Sequence, residues 1–431
     1  MNHRLLQDLD HSPGSVGDVL RRIRSVDAMS RSTLARTTGL APSTVSLRVD
    51  VLIGMGLVHE VGNEDSRGGR RARRLRLDGS AGFVAAVDLG ANHVRIVLSD
   101  LAGAVLVDTD TITDGDVSAT ERHRLPMSDG PAVAVAALWA RLVQLADDHH
   151  LTMDSFRGVA IGVPAPIAHP SGRIVTPSFQ PTWHDADLPG LFAAHTDAPV
   201  LVENDANLIA IAERPERTEP GDADEDQLLA VKLGTRIGCG IIASGRLHRG
   251  VGGAAGEVSH TAVDGIAMIG CTCGVPNCLE SVASGGAIAA RLRQAGYAAE
   301  TPADLLALGA QGDPVVTDAI RAAGAQIGQV LAGMVNFFNP REVVLAGSMS
   351  ASMPLVAAIR AELYQRCLPI VADDLEVRAS RNPQDAGVRG ATILIRDEVL
   401  APARIDEVVR EDAQRPVAVE RPVAVEVGVV A

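Results

Sequence analysis

The segment GEVSHTAVDGIAMIGCTCGVPNCLE, from Gly256 to Glu280, packs the three thiols of Cys271, Cys273 and Cys278 into eight residues and sets His260 ahead of them. A fold that contains it must bend so that these side chains meet. Three soft sulfur ligands and an imidazole match a tetrahedral zinc site of the structural type. Gly274 and Pro276 let the chain curl back to bring Cys278 to the other two. One structural Zn2+ per chain is the expected cofactor. The alternative, three buried or redox-active cysteines, sits poorly with a chain of 431 residues that has only five cysteines. Cys239 and Cys367 are isolated and read as packing residues. An odd count with three thiols crowded together does not fit a secreted disulfide framework. The opening MNHRLLQDLDHSPG lacks the apolar run of a signal peptide, and no stretch is long and apolar enough to span a bilayer. A cytoplasmic protein without a membrane partner is expected.

The length allows two or three domains. Aromatic residues make up only 2% of the chain, so a packed core must be built from Ala, Val, Leu and Ile. The net charge of -14 is unevenly spread. Residues 1–80 hold 13 Arg and Lys against 9 Asp and Glu, and the remainder holds 26 against 44. Only the basic head is suited to a polyanion. Within it Val16, Val19, Leu20, Ile23 and Val26 recur at helical spacing. Ser30 is placed to cap a second helix, SRSTLART, which Gly39 ends. Pro42 then opens a third, with Val45, Val49 and Leu52 facing inward and Gly56 beyond its end. LVHEV and RRLRL read as two strands around NEDSRGGRRA. Helix, helix, tight turn, helix and basic hairpin are the parts of a winged helix-turn-helix, whose third helix enters the major groove. Ser43, Thr44, Ser46 and Arg48 are the base-facing candidates. Arg67, Arg70, Arg71, Arg73 and Arg74 would meet phosphates or the minor groove around the wing. A small helical interaction domain with a solvated basic hairpin is the other reading.

From Gly82 the pattern is α/β. FVAAVDLGANHVRIVLSDLAGAVL reads as strand, turn, strand and hairpin return. A long helix, the buried strand GVAIGVP and the strand PVLVEND follow. QLLAVKLGTRIGCGIIASGRLH repeats the strand-and-hairpin pattern, helices dominate from Ser284 to Phe338, and REVVLAGSM ends a strong strand at a glycine turn. Glycines at strand ends are where α/β sites form. RPVAVE occurs twice near the C-terminus, at Arg415–Glu420 and Arg421–Glu426, and its prolines demote any strand there.

These segments resemble the ROK family of repressors, open reading frames and sugar kinases. GEVSH…CTCGVPNCLE is similar to the family signature, VDLGANH to its first phosphate loop and VENDANL to its sugar motif. GTRIGCGII is similar to its second phosphate loop, and FFNPREVVLAGS to its adenosine-side motif. The resemblance runs from about Ala85 to Leu400, and the wing SRGGRRARRLRL matches the regulator branch apart from Ala72, where that branch has proline. It implies a two-lobed α/β body of the actin-like, sugar-kinase-like ATPase fold. Residues 1–78 would be the winged helix-turn-helix and 83–200 the first lobe, completed by 387–401. Residues 201–386 would be the second lobe with the zinc loop, and 402–431 a disordered tail. Carried over residue by residue, the resemblance implies sugar contacts at Asn204, Asp205, Glu257, His260 and Glu280, and metal contacts at His260, Cys271, Cys273 and Cys278. Asp205 stands at the position of the kinases' catalytic base. Ala165 and Ser178 depart from the family pattern on the sugar side.

The nucleotide side departs further. In the first loop Asp88 and Gly90 remain, but Ala91, Asn92 and His93 replace glycine, threonine and lysine. In the second loop Arg236 stands where the kinases have glycine, and Ala346 and Ser348 flank Gly347. Glycine lets backbone N–H groups approach phosphate closely, so changes in three loops argue against ATP binding. Three functions stay open: a sugar-responsive regulator that no longer phosphorylates, an active ATP-dependent sugar kinase with a DNA-binding head, and a constitutive DNA binder whose body only oligomerises. The expected partners are a double-stranded operator of inverted-repeat form, a sugar or sugar-derivative effector, and further copies in a homodimer or homotetramer.

Overall fold

The computed structural model describes residues 14–25, 28–63, 73–90, 93–109, 112–113, 127–175, 181–214 and 226–414. Val26, Arg67, Arg70, Arg71, Ser178 and both RPVAVE repeats lie outside them. The chain divides into two compact units. Among the described residues, one comprises those to Arg76 together with those from Leu400 onward, and the other runs from Leu77 to Val399.

The first unit begins with α1 (Val16–Arg24), β1 (Met29–Ser30), α2 (Arg31–Thr38), α3 (Pro42–Gly54), β2 (Val58–Asn63) and β3 (Arg73–Leu77). Ser30 Oγ accepts from Thr33 N and holds the start of α2. Gly39 closes its end at φ 71°, a left-handed conformation that glycine adopts without strain. Pro42 is the first residue of α3, where its missing N–H costs nothing. Val45, Val49 and Leu52 of α3 are fully buried with Leu20, Leu34 and Leu75. β1 pairs antiparallel with β3 and makes the wing a three-stranded sheet. A two-residue strand has no periodicity to read in sequence.

In the second unit the first sheet contains β4 (Phe83–Leu89), β5 (His93–Asp100), β6 (Val105–Asp108), β7 (Ile112–Thr113) and β8 (Phe156–Val163), with α4 (Pro131–Asp148) between the last two. β9 (Ile167–Ala168) and β10 (Arg173–Ile174) form a small hairpin, and α5 (Leu188–Phe192) leads to β11 (Val200–Asn204). The order is β11-β8-β4-β5-β6, with β7 on β5. β4 is antiparallel to β5 and parallel to β8, which is parallel to β11. After α6 (Asp205–Glu213) the second sheet repeats the plan. β12 (Leu228–Leu233) is antiparallel to β13 (Ile237–Ala243), which pairs β14 (Arg246–Leu247). The helices α7 (Leu279–Ala283), α8 (Gly285–Gln294), α9 (Pro302–Ala310) and α10 (Pro314–Phe338) follow, then β15 (Glu342–Ala346), α11 (Met353–Arg366), α12 (Pro369–Ala372) and β16 (Glu376–Ala379). β15 lies parallel to β12 and β16 to β15. Two sheets, each a hairpin extended by parallel strands and each with its own helical layer, make the two-lobed α/β body. Because β11 is the edge strand of the first sheet, that sheet reaches Asn204, four residues past the expected lobe boundary at 200.

α13 (Ala386–Val399) packs on β4 and β8 of the first sheet and on α6, which packs on β12 and β13 of the second. Among the described residues no helix is long and apolar enough to cross a membrane.

The expectation of a disordered tail from residue 402 is overturned over its first part. Pro402–Gln414 is a helix, α14, that packs against α1. Ile405 is buried, and Asp406 Oδ1 accepts from Gly17 N at 2.9 Å. Gly17 touches the Pro402 backbone so closely that a Cβ would overlap its carbonyl oxygen. Tertiary packing, not local propensity, fixes this segment, so polar composition and nearby prolines misread it. A Gly17→Ala substitution is expected to destabilise the first unit by about 1–3 kcal/mol through overpacking. Thermal unfolding should show that unit melting earlier while the body's transition stays put; an unshifted melt would mean α14 does not pack there in solution.

Candidate ligand and metal site

α6 begins where β11 ends, and every residue of it is buried. Its N-terminus is fixed by Asn204. Oδ1 accepts from Ala206 N at 2.9 Å and Asn207 N at 3.3 Å, while Nδ2 donates to Ala165 O at 3.1 Å. Behind it Glu203, 4% exposed, accepts from Asn204 N and Asn207 Nδ2 and pairs with Arg249 Nε at 2.7 Å. Glu203 and Arg249 are absent from the sequence-derived site; VENDANL contains Glu203, but a buried framework carboxylate has no signature distinct from a ligand's. The amide of Asn204 is thus engaged on both sides by the protein, and the residue also lines the same cavity as Asp205.

Asp205 lines a cavity of about 260 Å³, with Lys232, Arg236, Glu257, His260 and Glu280 also in its wall. Lys232 forms an ion pair with Asp205. Burial alone would lower the lysine's pKa, but the carboxylates of Asp205, Asp88 and Glu280 outweigh it and hold the ammonium above its ordinary range. The ammonium occupies Asp205 Oδ2, an oxygen that a general base would offer to a substrate hydroxyl.

The sequence places Arg236 among several changes in a nucleotide loop. Its backbone does lie in the turn between β12 and β13, where Gly234 N donates to Arg236 O at 3.1 Å. Its side chain, however, reaches the cavity and pairs with Glu280 Oε1 at 3.2 Å. Glu280 Oε2 accepts from Ile237 N at 2.8 Å. Glu280 is 2% exposed, and burial raises its pKa against the pull of that N–H, Arg236 and Lys232. Glu257 is pushed up to about 7, first by burial and then by the charges of Asp205 and Glu280. Of the two predicted departures on the sugar side, Ala165 lines the cavity and Ser178 lies outside the described residues.

His260, Cys271, Cys273 and Cys278 come together, with their ligand atoms all within 4.8 Å of one another. A bridge between Ala262 and Cys278, flanked by Leu279 N to Thr261 O and Val263 N to Asn277 O, folds the segment back on itself. That is how residues far apart in the segment converge. His260 turns Nδ1 toward Cys271 Sγ, 3.5 Å away, and Nε2 toward Glu257, 3.6 Å away. Three sulfurs and one nitrogen so disposed are a donor set that fits a metal ion. Bound there, the ion would fix the stretch that carries both Glu257 and Glu280.

In the first unit Ser43 is exposed at the start of α3, with Thr44, Ser46 and Arg48 half-buried. Leu47 is 67% exposed on the same helix. Arg73 is exposed and pairs with Glu60 at 2.7 Å, whereas Arg74 donates to Ala28 O at 3.3 Å. Arg31 ties α2 to α3 and β2 through Ser46 O, Asp50 and Glu60.

Residues 84–398 match the ROK family profile. The chain is similar to the xylose repressor of Bacillus subtilis (strain 168), 28% identical over 383 residues that cover 89% of this chain and 94% of that protein. It is also similar to a glucokinase of Halalkalibacterium halodurans, 30% identical over 331 residues covering 72% and 94%. The crystal structure of a ROK family transcriptional regulator, a homolog of the E. coli MLC protein, superposes with a TM-score of 0.75 at 26% identity, over 93% of this chain and 100% of that one. The likeness to the two regulators extends well beyond the part shared with the glucokinase. With the family profile spanning both lobes of the body, this chain belongs to the ROK family.

Proposed function

We propose that the protein is a sugar-responsive, DNA-binding transcriptional repressor whose body binds its effector without transferring phosphate. The observation that carries this reading is the likeness to a regulator structure over 93% of the chain, more than the body alone accounts for. The Lys232–Asp205 ion pair supports the absence of phosphoryl transfer, because the base position already serves an ammonium. Arg236 in place of a phosphate-loop glycine points the same way.

In this reading α3 enters the major groove, with Ser43, Thr44, Ser46 and Arg48 toward the bases. Arg67, Arg70, Arg71 and Arg73 meet the backbone, while Arg74 stabilises the wing through Ala28 O. Two copies place two heads on the half-sites of an inverted repeat. Asp205, Glu257 and His260 contact the effector; Asn204 and Glu280 hold the frame. His260, Cys271, Cys273 and Cys278 hold zinc, which acts structurally. The effector shifts operator affinity to the extent that it binds one lobe arrangement better than another. α13 is a natural relay. It packs on β4, β8 and α6, and only Leu400 and Ala401 separate it in sequence from α14 of the DNA-binding unit.

Asp205 in its place at the start of α6 keeps the kinase alternative testable. Sugar-dependent ADP production that disappears in Asp205→Asn would establish that alternative; its absence with every sugar that binds is the expected result. Glu257→Gln should weaken effector binding by about 10–100-fold, the usual worth of a hydrogen bond to a charged group, and leave operator affinity unchanged. Loss of operator binding in that variant would make Glu257 structural. Purified protein is expected to contain about one zinc per chain, measured by elemental analysis, and Cys271→Ser to lose it; full zinc content in that variant would refute the site. Replacing Arg70 and Arg71 together with Ala should reduce the salt slope of operator binding by up to about 2, near 0.9 for each phosphate that is no longer neutralised. An unchanged slope would take the wing out of the interface.

A further inference from the structure

We infer that the effector is an anionic monosaccharide, one that carries a carboxylate or a phosphate, and that Arg236 and Lys232 receive its negative group. This rests on the body being an effector-binding domain and specifies which chemistry it selects.

At about 260 Å³ the cavity lies just below the usual range of small-molecule sites, roughly 300–1,000 Å³, which suits a single sugar ring. A neutral sugar is best matched by a ring of carboxylates and amides that accept its hydroxyl protons. Here much of that accepting capacity is already taken. Asn204 spends its amide on the α6 N-terminus and Ala165 O. Glu280 has one oxygen on Arg236 and the other on Ile237 N. Asp205 has one oxygen on Lys232. The wall also carries two cations, Lys232 near the end of β12 and Arg236 in the β12–β13 turn.

Their placement is fixed from behind. Lys232 is paired across the sheet with Gly238, where Ala206 of α6 takes the place of a side chain; a Cβ there would come 2.9 Å from Ala206 Cβ and 3.9 Å from Asp205 Oδ1, so β13 lies directly against the start of α6. Arg236 is held by a carboxylate that is itself 2% exposed and hydrogen-bonded on its second oxygen, while the arginine side chain keeps 29% exposure and lines the cavity. A guanidinium oriented by a buried partner before the ligand arrives loses little freedom on binding. Its planar fork matches carboxylate and phosphate oxygens. An ammonium on the adjoining strand adds a second charge-assisted donor.

The test is calorimetric titration of the full-length, zinc-loaded protein with glucose and xylose, with glucuronate and gluconate as sugar acids, with glucose 6-phosphate, and with inorganic phosphate alone. The expected result is that a sugar acid or the sugar phosphate binds at least tenfold tighter than the neutral sugars and than inorganic phosphate. That preference should vanish in Arg236→Gly and in Arg236→Gln, and persist in part in Arg236→Lys. The two classes of acid distinguish a carboxylate from a phosphate. Zinc content and the melting temperature of each variant show that it is folded, and Lys232→Met provides a second probe if the Arg236 variants are not. A neutral sugar that binds as tightly as its acids and shifts operator affinity would overturn the anionic preference while leaving the regulator intact. An acid preference unchanged in both folded Arg236 and Lys232 variants would overturn it as well. No binding by any of these sugars would remove both the preference and the effector role of the body.

Discussion

The backbone of α6 lies against two glycines, Gly240 on β13 and Gly390 on α13, so closely that a Cβ on either would overlap the carbonyl oxygen of Ala206 or Leu208. Contact this close leaves no side chain between the surfaces that could change rotamer, and close-packed surfaces transmit strain. The consequence is a helix without a solvent face, fixed at once to the second sheet and, through α13, to the first. Asn204 and Asp205 sit at its N-terminus. Their positions are therefore set by the contact between the two halves of the body and not by a surface loop. α6 and α13 are not the sole links: His169 N donates to Gly252 O at 3.2 Å, and Arg249 pairs with Glu203.

The electrostatics of the cavity follow from what surrounds that N-terminus. Glu203, Asp205, Glu257 and Glu280 would repel one another if all were charged and dry. Three of them have a cation: Arg249 for Glu203, Lys232 for Asp205 and Arg236 for Glu280. Glu257 has none among the pairs described, apart from the neighbouring imidazole of His260. It is the carboxyl that burial and its two acidic neighbours push up to about 7. Desolvation without a cationic partner raises a carboxyl's pKa, and that is the case here.

Much of this is legible in the sequence because it depends on local signals. The Ser30 cap, the Gly39 terminator and Pro42 each act within a few residues, and the three helices of the head form where these signals stand. The two strand-and-hairpin patterns, FVAAVDLGANHVRIVLSD and QLLAVKLGTRIGCGII, become the equivalent strands of two sheets. The cluster of His260 with three cysteines can be read because thiols are rare in this chain. What stays hidden depends on contacts between distant segments. β1 exists only because β3 pairs with it. α14 is ordered by α1, nearly 400 residues away in sequence. The direction of the Arg236 side chain is invisible because arginine in place of glycine reads as a loss of backbone approach, a local property. Its partner Glu280 lies 44 residues on, across the fold.

The difference between losing a loop and gaining a contact matters for how the site is understood. Replacing glycine in a phosphate loop could leave nothing in its place. Here the replacing side chain binds a buried carboxylate, and four residues earlier Lys232 binds the carboxylate at the base position. A base needs a lone pair free to take a proton as the hydroxyl attacks. A recognition site needs the opposite, donors and acceptors held still whether or not the ligand is present. An ammonium on Asp205 and a guanidinium on Glu280 fit the second requirement better than the first, in keeping with the proposed function. Under the proposed function, the same two ion pairs hold both cations in the cavity wall before a ligand arrives, so that a ligand there would bear on α6 through groups already in place.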